Sequence, residues 1–169
     1  GFTYFDTSYV YHEGHSEHAV HESLVKRHPR DAYTIATKYP TFLGIPESEV
    51  EETFERQLSN LGVDYVDYYL LHNIQTWLYD GIDGKGGAIK ETNLFDHATR
   101  WRDEGRIRHL GFSFHSSAAE LDHVLTEHPE VEFVQLAINP IDWESEFVQA
   151  AKCYEVVRRH GKKVNVMEM

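Results

Sequence analysis

Cysteine is almost absent: Cys153 is alone among 169 residues. It has no internal disulfide partner, which excludes a disulfide-stapled scaffold and points to a reducing, cytoplasmic setting. No apolar run approaches the roughly 20 residues of a membrane-spanning helix, and no secretory signal leads into the opening Gly1-Phe2-Thr3-Tyr4-Phe5-Asp6. Positive charge is scarce. The 16 Lys and Arg face 28 Asp and Glu, for a formal net charge of −12. Such a surface repels phosphate backbones and argues against nucleic acid as a partner. No Gly-x-Gly-x-x-Gly opens a helix, which counts against a Rossmann domain. No phosphate loop is present either: Gly84-Lys85 is followed by Gly86 instead of Ser or Thr, and position 79 is Tyr.

What the chain does have is a globular composition, 41% hydrophobic and 26% charged, and an alternation of short strands with amphipathic helices. Strands are expected at Thr3 to Asp6, Tyr33 to Lys38, Tyr65 to His72, His109 to Phe114, Phe133 to Asn139 and Val164 to Met169, where aromatic and branched residues gather. The clearest helix spaces Val50, Phe54, Leu58 and Leu61, with Ser48 and Glu51 as a capping box and Gly62 as its stop. A second runs from Ser117 with Glu120 as the box partner and Leu121, Val124 and Leu125 inward. Others carry Leu94, Ala98 and Trp101, or Phe147, Ala151 and Tyr154, and a weaker one covers about 16–28. Repeated strand–helix units imply a parallel sheet with right-handed crossovers. An open doubly wound sheet and part of a (β/α)8 barrel both fit. No linker divides residues 1–169, so one domain is expected. The long irregular stretch Ile74 to Thr92 reads equally as a substrate loop or a solvated insertion.

Polar residues collect where strands end. Asp6, Lys38 and His72 close the first three strands, and Tyr11 lies in the loop after the first. In parallel α/β folds these ends share one face, where sites form. Alternation puts Asp6, Lys38, His72, Ser113 and Gln135 on a common side of the sheet. The residue types suit carbonyl reduction, which needs a hydride on carbon and a proton on oxygen. A Tyr hydroxyl can deliver the proton, and a nearby ammonium such as Lys38 favours its phenolate. Asp6 can pair with that lysine, and His72 can orient the substrate oxygen.

The sequence here resembles the aldo-keto reductases. The matching stretches are Phe5-Asp6-Thr7-Ser8 with Tyr11, Gly14 and Glu17; Ala36-Thr37-Lys38; Leu70-Leu71-His72-Asn73; Gly105 through Ser113; and Gln135 before Asn139-Pro140. They occur in the family's order across most of the chain. The resemblance implies an incomplete (β/α)8 TIM barrel, NADP or NAD as cofactor, a small carbonyl substrate, and a tetrad of Asp6, Tyr11, Lys38 and His72. The family's Tyr stands five positions after its Asp, which selects Tyr11 over Tyr9. Ser113 and Gln135 match the residues that hold the nicotinamide carboxamide, whereas Phe114 and His115 replace the usual Asn after the Ser. The phrase Gly111 to His115, with Met167-Glu168-Met169, resembles bacterial members that carry a ferredoxin-like iron–sulfur tail. Such a cluster is expected only beyond Met169, since it needs several cysteines.

Each feature also has a plain structural explanation. Asp6 can cap a turn, Lys38 can face solvent, and His72 can be a core histidine. Their joint order favours chemistry. His12, His15, His18 and His21 recur every third residue, a spacing poorly matched to one helix face, so a solvated face is expected and no metal site. Cys153 is expected to be a buried structural thiol. Trp77 and Tyr79 either line a pocket or pin their loop. Two rival functions remain: a nucleotide-binding regulatory or redox-sensing subunit of the same fold, and a metal-dependent barrel hydrolase. The absence of an initiator Met, the strand-like ends, and six strands against a barrel's eight create the expectation of a truncated barrel. One strand would lie before Gly1 and one after Met169, and this piece alone would be unstable and inactive.

Overall fold

The computed structural model describes residues 1–82 and 86–169. Gly84 and Lys85 of the long loop lie outside the described residues. Six parallel strands follow one another in sequence order: β1 Tyr4–Asp6, β2 Thr34–Tyr39, β3 Val66–Ile74, β4 Ile107–Phe114, β5 Phe133–Ala137 and β6 Lys163–Met167. Between them lie α1 Ser16–Val20, α2 Val50–Leu61, the short α3 Thr76–Tyr79 and α4 Ala88–Glu91, then α5 Leu94–Asp103, α6 Ala118–Glu127 and α7 Ala150–Arg159. Among the described residues this is an incomplete (β/α)8 barrel, five strand–helix units and a sixth strand.

The sheet curls hard. Laid flat, β1 and β6 would stand five strand spacings apart, about 24 Å. Instead the Asn165 amide on β6 donates to the Tyr4 hydroxyl on β1 at 2.8 Å. The curl gives the sheet two different faces. The outer face and the helices share the main core, centred on Phe54, which stacks on Trp101 at 4.0 Å between centroids and meets Tyr69 edge-on. The inner face holds a small cluster of Ala36, Leu70 and Phe133 with Tyr68. Above that cluster, the same alternation carries Asp6, Lys38, His72, Ser113 and Gln135. Ser113 pairs directly with Gln135, and Lys38 pairs with Leu70, two residues before His72.

Several local expectations are corrected. Ser48 does not cap α2: a 3-10 turn at Glu47–Glu49 precedes it, Glu49 takes the cap position, and no side chain accepts there. Ser117 does cap α6, accepting from the Glu120 amide at 3.2 Å. Phe147 is 95% exposed and precedes α7, whose inward face is Ala150, Cys153, Val156 and Val157. β5 stops at Ala137, because Asn139 turns the chain by accepting from the amides of Ile141 and Asp142. β3 runs past His72 to Ile74 through a bulge, with Asn73 at φ 62°. The first helix is α1 followed by a π-helical turn, His21–Val25. The long loop contains α3 and α4. Tyr79 is buried there and pins the segment against Phe95 and His128, whereas Trp77 is 49% exposed.

Gly111 on β4 faces the barrel interior, where an added Cβ would lie 2.5 Å from the Phe133 carbonyl oxygen and 2.6 Å from its ring. Its missing side chain is the space Phe133 occupies. Gly111→Ala is expected to cost about 1–3 kcal/mol by overpacking, read as a lower urea midpoint. An unchanged midpoint would show that Phe133 can swing aside.

Candidate active site

Lys38 is the deepest charged group at the C-terminal ends of the strands, 1% exposed near the end of β2. A buried ammonium needs compensation. It donates to Asp6 Oδ1 from the end of β1 and to the Thr7 carbonyl at 2.9 Å. Asp6 is further held by the Tyr4 hydroxyl and the Gln135 amide, each at 3.4 Å. Burial, with the Asp6 carboxylate adding to it, raises Tyr4 well above an ordinary phenol, so it stays a neutral donor.

Tyr11 sits over this pair. The loop that carries it folds back on itself through bonds from Tyr11 N to Ser8 O and from Ser16 N to Tyr11 O, both 3.2 Å. His12, Glu13 and Gly14 make the turn with positive φ. The ring of Tyr11 lies 4.6 Å from Lys38 Nζ and meets the His72 ring edge-on at 5.7 Å. Its side is 37% exposed and open to the solvent face. Tyr9 points elsewhere, its hydroxyl taking a bond from Arg56 on α2 at 3.3 Å.

His72 is flanked by Tyr11 and Phe42. Its Nδ1 lies 3.1 Å from the buried Ser8 hydroxyl. Burial, joined by the charges of Lys38 and His115, pushes its pKa down to about 4. His72 is therefore neutral across the physiological range and can donate a proton from one ring nitrogen in a hydrogen bond.

Ser113 and Gln135 stand side by side as paired residues of β4 and β5. The Ser113 hydroxyl oxygen accepts the Asn73 amide at 2.8 Å. Gln135 Oε1 is buried with no partner among the described residues. An orphaned acceptor beside a hydroxyl fits a ligand amide, the terminal group of a nicotinamide, so the residues present suit that cofactor's reactive end.

All six sequence-derived residues thus meet at one place. Two further contributors were not assigned from sequence. Ser8 stood in a recognised stretch without a role, and Phe42 gave no signal at all. The His12 to His21 run gathers no ligand set: among the described residues, no group of three or more His, Cys, Asp or Glu side chains could hold a metal. Cys153 is buried on the inward face of α7, where burial pushes its thiol up to about 11 and disfavours the thiolate. No helix among the described residues is long and apolar enough to cross a membrane.

Comparison with known proteins places this arrangement. A family model described as "Aldo/keto reductase family" matches residues 1–169. "Probable aldo-keto reductase 1" of Glycine max is 30% identical over 121 residues, covering 67% of this chain and 32% of that protein. An aldo/keto reductase structure from Brucella melitensis superposes with TM-score 0.75 at 20% identity, over 99% of this chain and 58% of the other. A Klebsiella pneumoniae aldo/keto reductase in complex with NADP and acetate gives TM-score 0.71 at 20% identity, over 97% and 52%. A Bombyx mori aldo-keto reductase in complex with NADP gives 0.72 at 20% identity, over 98% and 52%. The chain therefore spans a third of the plant relative and just over half of these structures.

The depressed His72 pKa has a stability consequence. Between about pH 6.5 and 4 the unfolded chain binds a proton on this histidine that the folded one refuses, so folding weakens as pH falls through that window. His72→Gln is expected to reduce this slope in urea titrations, and the wild-type His72 ring resonances should titrate below pH 5 by NMR. A midpoint near 6.5 would contradict the burial argument.

Proposed function

Because the chain belongs to the aldo/keto reductase family, we propose that it forms the reacting part of an oxidoreductase that moves a hydride from NADPH to a small aldehyde or ketone, with Tyr11 as the proton donor. The observation that carries this reading is the convergence of Tyr11, Lys38, Asp6 and His72 at one open end of the barrel. The named NADP complexes of fold relatives favour NADP as the cofactor. A bound nicotinamide supplies the hydride.

The chain's own residues then have separate tasks. Ser113 and Gln135 hold the carboxamide through the hydroxyl and the unpartnered acceptor. Asp6 anchors the Lys38 ammonium, which faces the negative charge forming on Tyr11 as its hydroxyl gives a proton to the substrate oxygen. Ser8 engages His72 Nδ1, leaving Nε2 to donate a hydrogen bond to the same oxygen and align it. Phe42 and Tyr11 wall the imidazole on two sides.

The second reading, a nucleotide-binding regulatory subunit, draws on one observation: Phe114 and His115 follow Ser113 where the family has Asn. It retains cofactor binding and removes turnover.

Tyr11→Phe in the full-length protein is expected to lower kcat for a panel of small aldehydes by about 10²–10⁴-fold. NADPH affinity, followed by fluorescence quenching, should hardly change. Undiminished NADPH oxidation by the variant would remove Tyr11 from the role. Tight cofactor binding with no turnover by the wild type would favour the regulatory reading.

A further inference from the structure

Glu17 is a fully buried carboxylate, 0% exposed, whose partners are all neutral. Oε1 accepts from the Thr37 hydroxyl at 2.6 Å and from the Gln57 amide at 3.0 Å, and Oε2 accepts from Asn60 at 3.0 Å. The Gln57 amide also donates to the Lys38 carbonyl at 3.0 Å, and Gln57 Oε1 accepts from the Tyr69 hydroxyl at 2.5 Å. The set is fully buried apart from Asn60, and it lies on the outer side of the sheet, behind the site.

Such a group is costly to keep. A hydrophobic cluster of equal volume would commonly fill the space at no loss of stability. Burial pushes the Glu17 carboxyl up, and the three donors oppose this. What the network achieves is connection. Glu17 follows Ser16, whose amide donates to the Tyr11 carbonyl and whose hydroxyl oxygen accepts from the Thr7 hydroxyl at 2.7 Å. On its other side, Thr37 is the chain neighbour of Lys38, and Gln57 holds the Lys38 carbonyl. Both members of the Tyr11–Lys38 pair thus hang on Glu17 through at most two hydrogen bonds and a few covalent ones.

We propose that Glu17 is a positioning residue that ties the Tyr11 loop to the Lys38 strand and sets the spacing between phenol and ammonium. The inference deepens the reductase reading and rests on it. Glu17 touches neither substrate nor cofactor, so it acts through geometry alone, and errors of an ångström in reacting groups cost about 10²-fold.

The test uses the full-length protein with Glu17→Ala, Glu17→Gln and Gln57→Met, each assayed per folded molecule. Glu17→Ala and Gln57→Met are expected to lower kcat by about 10- to 100-fold, with the KM for NADPH held within about twofold. Glu17→Gln keeps the acceptor for Thr37 and Gln57 and should recover part of the loss. Acetic anhydride labelling, read by mass spectrometry against exposed Lys26, gives a measure independent of turnover: Lys38 should label several-fold faster in both variants. A lowered melting temperature with unchanged kcat, or unchanged Lys38 labelling, overturns the proposal. If Glu17→Ala does not fold, Gln57→Met carries the same kcat and Lys38-labelling readouts. If the wild type oxidises no NADPH, the reductase reading falls, and Lys38 labelling alone decides whether Glu17 positions it.

Discussion

The buried ammonium of Lys38 sets the terms for everything around it. A lysine charge removed from water costs several kcal/mol unless it is paired and hydrogen-bonded. Here the remedy comes from β1, through Asp6 and the Thr7 carbonyl. The strand register is consistent with that demand: Asp6 pairs with Ala36, two residues before Lys38, so its carboxylate can reach up the inner face to the ammonium. The Thr7 amide bonds the Ala36 carbonyl at 2.9 Å and continues the ladder one step beyond the strand. The ion pair is therefore part of how β1 is held, as well as part of the site.

Curvature is the second condition. Gln135 on β5 reaches Asp6 on β1 only because the sheet wraps around its interior. The residues filling that interior explain how it can close so tightly. Gly111 offers no side chain, Ala36 a small one, and Phe133 takes the room they leave. Tyr68 packs edge-on against both Tyr4 and Phe133, bridging the inner surface from one side to the other. The polar layer rests on this apolar floor, which shields its ion pair from below.

Much of this was legible in the sequence because two simple periodicities govern it. Strand alternation placed Asp6, Lys38, His72, Ser113 and Gln135 on one side without any knowledge of the curl. Helical spacing found the buried faces of α2, α5 and α6. What escaped depended on partners distant in sequence or on local competition. Ser48 has the right chemistry for a cap, but the Pro46 turn winds the chain into a tighter helix first, and the cap position passes to Glu49. Phe147 fits a helical stripe, yet Asn139 and the turns after it delay α7 until Ala150. Glu17 lies among exposed-looking histidines, and only the approach of Gln57 and Asn60 from α2 makes it internal. Phe42 stands on a 3-10 turn whose contact with His72 has no periodic signature.

The proposed proton-handling residues Asp6, Tyr11, Lys38 and His72 come from the first three strands and the loop after β1, whereas Ser113 and Gln135, proposed to hold an amide, belong to β4 and β5. Among the described residues the two sets are joined by the long bond from Gln135 to Asp6, and the Ser113 hydroxyl also accepts the amide of Asn73, the neighbour of His72. On the proposed reading the two tasks are carried by consecutive stretches of chain, residues 6–72 and 113–135. The Phe114-His115 sequence lies beside the second set, while Asp6, Tyr11, Lys38 and His72 stay together in the first.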